Sequence, residues 1–150
     1  MPPLMPCTRP HLPPLMPCTR HRPLRISDAV ISPGSEIGEN CVIENAIIGL
    51  RSIIGKGCDI RDAMIMGADY YESDAKVQKV RAQGGVPIGI AENTVLRSVI
   101  VDKNARIGAN CKIINKEGVD EANREDEGYY IRSGIVCVIR NSTIKPNTVI

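Results

Sequence analysis

The chain of 150 residues contains no Phe, no Trp and only four Tyr. A core of large interlocking rings is therefore excluded. Histidine is almost missing as well, with only His11 and His21, both in a Pro-rich opening segment. No apolar run approaches the roughly 20 residues of a membrane-spanning helix. No basic run is sustained and aromatics are scarce, which argues against a nucleic-acid surface. There is no Gly-rich phosphate loop, no Ser/His/Asp arrangement and no metal-ligand spacing, so neither a catalytic residue nor a metal site is expected. The formal charge of +2 is unevenly spread. Arg9, Arg20, Arg22 and Arg25 precede the first acid, which leaves the remainder at 2 − 4 = −2.

What is present is aliphatic. Hydrophobic residues make up 43%, dominated by isoleucine, and the length suits one domain with a real core. The first 25 residues stand apart, with eight of the eleven prolines and no glycine. They contain PPLMPCTR twice, from Pro2 and from Pro13. Such duplication reads as low complexity, extended or disordered, without a core of its own. A transit peptide, basic and free of acids but lacking the usual Ser, and a duplicated linker are the alternatives. The domain proper is expected over residues 26–150.

From Ile26 the aliphatics form a ladder. Ile26, Ile31, Ile37, Ile43, Ile48, Ile54, Ile60 and Ile65 are spaced 5, 6, 6, 5, 6, 6 and 5. Ile90, Leu96, Val101, Ile107 and Ile113 resume it at 6, 5, 6 and 6, and Ile139, Ile144 and Ile150 close it at 5 and 6. Neither a helical period nor strand alternation fits. A 17-residue unit of 6 + 6 + 5 does, and it predicts a parallel β-helix of hexapeptide type with three sides.

The finer pattern supports this. With each ladder residue as position one, position four of the six-residue sides is Gly34, Asn40, Arg51, Gly57, Asn93, Asn104, Asn110 or Asn147. Gly and Asn tolerate the left-handed backbone of a corner. Position five is always small: Ser35, Cys41, Ser52, Cys58, Thr94, Ala105, Cys111 or Thr148. The five-residue sides lack Gly or Asn at position four and imply a second kind of corner. Six cysteines in a short chain raise the alternatives of disulfides or metal ligands. However, no signal-type segment precedes Cys7 and Cys18, and Cys41, Cys58 and Cys111 occupy the slot that Ser, Thr and Ala fill elsewhere. They read as packing thiols.

Two stretches interrupt the ladder. Gly67–Gly89 predicts a short helix, capped by Ser73 or Asp74 and closed by Gly84 and Gly85. Asn115–Tyr130 is polar and predicts one or two helical turns. Coils of this kind in acyltransferases and carbonic anhydrases use His as base or zinc ligand, and both histidines here lie off the coil.

Several phrases carry a family resemblance: MGADYYE from Met66, VPIGI from Val86, VDKNARIG from Val101, INKEGV from Ile114 and GYYIRSGIV from Gly128. They resemble the C-terminal domain of plant-type ADP-glucose pyrophosphorylase (glucose-1-phosphate adenylyltransferase), over about Ile26 to Ile150, leaning to the large subunit. The resemblance implies a left-handed coil. It implies an enzyme that converts ATP and glucose 1-phosphate to ADP-glucose and pyrophosphate with Mg²⁺, in starch or glycogen synthesis. It further implies a tetramer of such subunits, under control by a phosphorylated sugar acid or phosphate. A plant-type protein would lie in the plastid, and otherwise the cytoplasm is expected. Family catalysis resides in a nucleotidyltransferase domain whose motifs this chain lacks, so it is expected to be inert alone, with no cofactor of its own.

Lys103 in VDKNAR matches a family lysine that contacts the effector, and Arg140 in CVIRNST falls where a second such lysine stands. Arg for Lys keeps the charge but changes a point donor into a planar fork. By ladder position, Arg61, Arg97 and Arg140 share position two of the five-residue sides, a column of cations suited to phosphate. Ser27 and Glu44 in the same slot make a solvated corner the alternative. A stand-alone β-helix that binds other subunits without any effector is the competing function.

Overall fold

A computed structural model describes residues 23–150. The expectations for residues 1–22 lie outside it. Four seven-residue strands, β1 (Arg25–Ile31), β3 (Val42–Ile48), β5 (Asp59–Ile65) and β7 (Val95–Val101), stack in parallel. Short strands β2 (Glu36–Ile37), β4 (Ile53–Ile54), β6 (Gly89–Ile90), β8 (Arg106–Ile107) and β13 (Thr143–Ile144) make a second parallel stack. Each long strand bends in the middle and supplies two sides, and each short strand supplies the third. The chain is a three-sided coil.

The ladder residues point inward as three columns. One runs Ile26, Ile43, Ile60, Leu96, Ile113, the last of these on β9 (Lys112–Ile113). A second runs Ile37, Ile54, Ile90, Ile107, Ile144. The third runs Ile31, Ile48, Ile65, Val101, Val138. Coils stacked about 4.8 Å apart bring identical positions into contact. Each fully buried rung therefore contributes about 1.5–3 kcal/mol over exposure. Ile26 and Ile31, in the first coil, are instead exposed.

All eight position-four residues of the six-residue sides have positive φ, from 55° at Arg51 to 75° at Gly34. The second kind of corner is also left-handed, one position earlier than the ladder suggested. Asp28, Asn45, Asp62 and Ser98, at position three of the five-residue sides, have φ of 47–51°. These residues bend the long strands. Asp and Asn accept this region because their short polar side chains hydrogen-bond locally, and the Asn45 amide donates to Asp62 Oδ1 at 2.6 Å.

Position five explains the cysteines. The thiols of Cys41, Cys58 and Cys111 are buried and unbridged. They lie 3.1, 3.2 and 3.2 Å from the carbonyl oxygens of Gly55, Ala91 and Lys145 in the next coil. Thr94 Oγ1 donates to Gly108 O at 3.1 Å in the same way. A small side chain with one polar hydrogen fits because it fills the corner and engages a buried carbonyl.

The first insertion contains helix α1 (Asp74–Ala82), N-capped by Ser73, with Gly84 in the left-handed region after it, as expected. The second differs from expectation. Residues 121–138 form an antiparallel sheet extension, β10 (Glu121–Arg124), β11 (Tyr129–Arg132) and β12 (Ile135–Val138), with a single 3₁₀ turn at Glu125–Glu127. Inward Tyr129 and Ile131 alternate with outward Tyr130 and Arg132, a period-two signal that the polar neighbours obscure. After this extension the ladder resumes at Val138, which pairs with Val101, and not at Ile139.

We expect Cys111→Ser to keep the carbonyl contact and the thermal midpoint within a few degrees. Cys111→Leu should cost about 1–3 kcal/mol through overpacking. Thermal unfolding followed by circular dichroism distinguishes the two.

Candidate anion site

The corrected register changes where Arg140 sits. Counting from Val138 makes it position three of a six-residue side, equivalent to Lys103 two residues beyond Val101. It therefore leaves the column of Arg61 and Arg97 and stacks on Lys103. The Asn141 N–H donates to Lys103 O at 3.1 Å, fixing the two coils together.

Both cations converge on Asp69, at the start of the first insertion. Lys103 Nζ is 3.2 Å from Oδ1, and Arg140 Nη2 is 2.6 Å from Oδ2. Asn104, a left-handed corner residue, clasps the same aspartate from both ends. Its Oδ1 accepts from the Asp69 N–H and its Nδ2 donates to Oδ2, each at 2.9 Å. The Asn104 amide, then Lys103 and Arg140, hold the Asp69 carboxyl below its usual range. The chain can leave the coil here because Gly67 has φ 93°, and a Cβ there would strike Leu50 O.

Two cations share one carboxylate, so the cluster carries a net positive charge. Its ion pairs are half-exposed, and such pairs contribute little and exchange readily. A phosphate or carboxylate arriving from solvent competes with Asp69 for both cations through charge-assisted hydrogen bonds.

A firmer pair anchors the rest of the insertion. Glu72, with its side chain 2% exposed, accepts from Arg106 Nη2 at 2.6 Å and from the Ile88 N–H at 2.9 Å. Lys76 Nζ lies 3.6 Å away. Burial opposes ionisation of Glu72, but Arg106, the Ile88 N–H and Lys76 together outweigh it and lower the pKa. The excursion is thus tied at the Asn104 corner and, further along, to Arg106 on the side that follows it.

Arg61 and Arg97 do stack on each other, as their shared position predicts. Both are already engaged. Arg61 Nε and Arg97 Nη2 each lie 2.9 Å from Asp59, and Arg61 Nη1 is 3.4 Å from Glu44. The fold does not bring them to Lys103 and Arg140. Among the described residues no three His, Cys, Asp or Glu side chains converge as metal ligands.

A family model, the GLGC left-handed parallel beta-helix domain, matches residues 14–149. The chain belongs to this family. The GLGC domain is the C-terminal domain of ADP-glucose pyrophosphorylase, and the coil is accordingly a left-handed parallel β-helix. Residues 26–150 of the repeat lie within that match but for the last. In this GLGC domain, the left-handed coil sets Lys103 and Arg140 in neighbouring turns of one corner.

Sequence reasoning did not find Asp69, Asn104 as its clasp, Glu72 or Arg106. Asp69 lies 34, 35 and 71 residues from Lys103, Asn104 and Arg140, and Glu72 lies 34 from Arg106, across an insertion with no period of its own. The only available signal was the GADYYE phrase itself.

Glu72 has a depressed folded pKa, so its stabilisation is complete above the ordinary glutamate value of about 4.3 and is lost as pH falls through the lower folded value. Glu72→Ala should free the Ile88 amide and cost about 2 kcal/mol, since hydrogen bonds to a charged group are removed. Protection factors for amide exchange at Ile88 and along α1, corrected for the intrinsic rate at each pH, should fall in the variant, and in the wild type at acid pH.

Proposed function

We propose that this chain is the regulatory and assembly part of a glucose-1-phosphate adenylyltransferase, plant-type and of the large-subunit kind. Its ligand on this reading is a small phosphorylated acid or inorganic phosphate, bound by Lys103 and Arg140. The observation that carries the reading is their convergence on Asp69, an internal carboxylate standing where an external anion would bind. Asp69 orders the cations while the ligand is away and yields them when it arrives. Arg61 and Arg97 are the weaker candidates, because besides sharing Asp59 they are held by further partners, Arg61 by Glu44 and Arg97 by the carbonyls of Asp59 and Leu96.

The remaining parts of the proposal follow the resemblance. Partner subunits of the same family would complete the enzyme, the reaction would occur in a nucleotidyltransferase domain with its Mg²⁺, and a plastid setting would accompany a plant-type protein. Alone, this chain would bind effector weakly and catalyse nothing. A binding module without an effector site is the alternative, and it leaves the Asp69 cluster only as a tie between the insertion and the coil.

Titration of the chain with 3-phosphoglycerate and with inorganic phosphate, followed by amide chemical shifts, tests this. Millimolar binding should be centred on Asp69, Lys103 and Arg140. Lys103→Ala and Arg140→Ala should each weaken it about three- to tenfold, since one ion contact of roughly 1 kcal/mol is lost. Asp69→Asn should strengthen it by removing the competing charge. Unchanged affinity in all three variants contradicts the proposed site.

A further inference from the structure

Two buried thiols stand level on neighbouring coils. Cys41 and Cys58 are 17 residues apart and fill the same inward slot, and the Val42 N–H donates to Cys58 O at 2.9 Å. Parallel spacing of about 4.8 Å sets their Cα atoms inside the range of about 4.4–6.8 Å that a disulfide spans. Among the described residues no other two cysteines are neighbours in this way. Cys111 has Thr94 on one side and Thr148 on the other, and Cys137 lies on β12 beside Ile100 and Tyr130.

The two thiols are unequal. A hydrogen bond from Cys58 stabilises the Cys41 thiolate against the cost of burial, whereas Cys41 and burial both hold the Cys58 proton in place. The thiolate is the nucleophile, so Cys41 reacts first. Its cover is thin. The Arg25 N–H donates to Cys41 O, which sets Leu24 level with Cys41 in the first coil. Leu24 is 47% exposed, and the nearby rungs Ile26 and Ile31 are 42% and 39% exposed. A coil with so little buried apolar surface opens locally at small cost.

We propose that Cys41 and Cys58 form a reversible disulfide when the protein meets a peroxide. The Cys41 thiolate attacks one peroxide oxygen and the O–O bond breaks. The hydroxide that leaves takes up the proton Cys41 gave up, and Cys41 becomes a sulfenic acid. The Cys58 sulfur then attacks the Cys41 sulfur, the S–O bond breaks, and the departing hydroxyl takes the Cys58 proton. Two thiols and one peroxide become one disulfide and two waters. Closing the bond draws the Cβ atoms from the coil spacing to about 3.8 Å, and the strain makes the bridge easy to reduce. It also takes both thiol hydrogens from the carbonyls of Gly55 and Ala91. The bridge staples the second coil to the third beside the most exposed coil, and it is independent of the anion site.

Treatment of the 150-residue chain with millimolar hydrogen peroxide tests it, followed by alkylation of free thiols in denaturant, trypsin digestion and mass spectrometry without reductant. Cleavage after Arg25, Arg51, Lys56 and Arg61 puts Cys41 and Cys58 on separate peptides. These should be recovered joined, and apart again after dithiothreitol, with Cys111 alkylated throughout. Cys58→Ser should leave Cys41 as a sulfenic acid that dimedone traps, and Cys41→Ser should slow oxidation of Cys58 at least tenfold. Ser fills the same slot at Ser35 and Ser52, so both variants should keep the fold, which circular dichroism checks. Exposed Met64 and Met66 serve as internal clocks, since peroxide converts them to sulfoxides. Cys41 and Cys58 that still alkylate once both methionines are oxidised overturn the proposal, as does Cys41 joined to any cysteine other than Cys58. Undiminished oxidation of Cys58 in Cys41→Ser overturns the order of attack.

Discussion

The fold depends on a backbone constraint repeated at each corner, where one residue must adopt positive φ. Among the described residues the corners that do so include Gly34, Asn40, Arg51, Gly57, Asn93, Asn104, Asn110, Asn141 and Asn147 of one type and Asp28, Asn45, Asp62, Ser98 and Asn115 of the other. Without those reversals the strands would not close a 17-residue turn, and the isoleucines would not stack. Asn and Asp hold the conformation at small cost because their side chains bond locally. The aliphatic columns then supply most of the stabilisation, each rung burying the one beneath it. Small polar residues behind the corners engage the carbonyls that the turn would otherwise leave without partners.

The same corner chemistry builds the candidate site. Asn104 is both a left-handed corner and the clasp of Asp69. A residue selected for backbone geometry thereby also orients the carboxylate that gathers Lys103 and Arg140. The insertion that supplies Asp69 is fastened further along by Glu72 to Arg106, on the neighbouring side. Structure and electrostatics are coupled there, because a disturbance of the corner would move the cations as well as the chain.

Most of the coil was legible because its signal is a period. A fixed spacing of Ile31, Ile37, Ile43 and their successors states which residues share a column, and Cys41 is understood once it falls into the slot of Ser52. Legibility ended where insertions broke the count. Restarting the ladder at Ile139 instead of Val138 shifted Arg140 by one place and put it beside Arg97. The structure seats it on Lys103. One residue of slip changes the face of every side chain that follows. Asn115 to Tyr130 looked like a polar loop with a helical turn or two because charged Glu125, Asp126 and Glu127 mask the alternation of the strands around them. Asp69 and Glu72 were beyond pattern reading, since each matters through a partner more than 30 residues away.

The central claim is that Asp69 stands in for an anion held by Lys103 and Arg140. Carbon-detected NMR of the Asp69 carboxyl, titrated with pH in the presence and absence of inorganic phosphate, tests it most directly. If phosphate takes the two cations, Asp69 keeps its bond to Asn104 but loses Lys103 and Arg140, and its pKa should rise. An Asp69 titration that stays depressed and unmoved at saturating phosphate would contradict the claim, and would leave the three charges as a structural tie between insertion and coil.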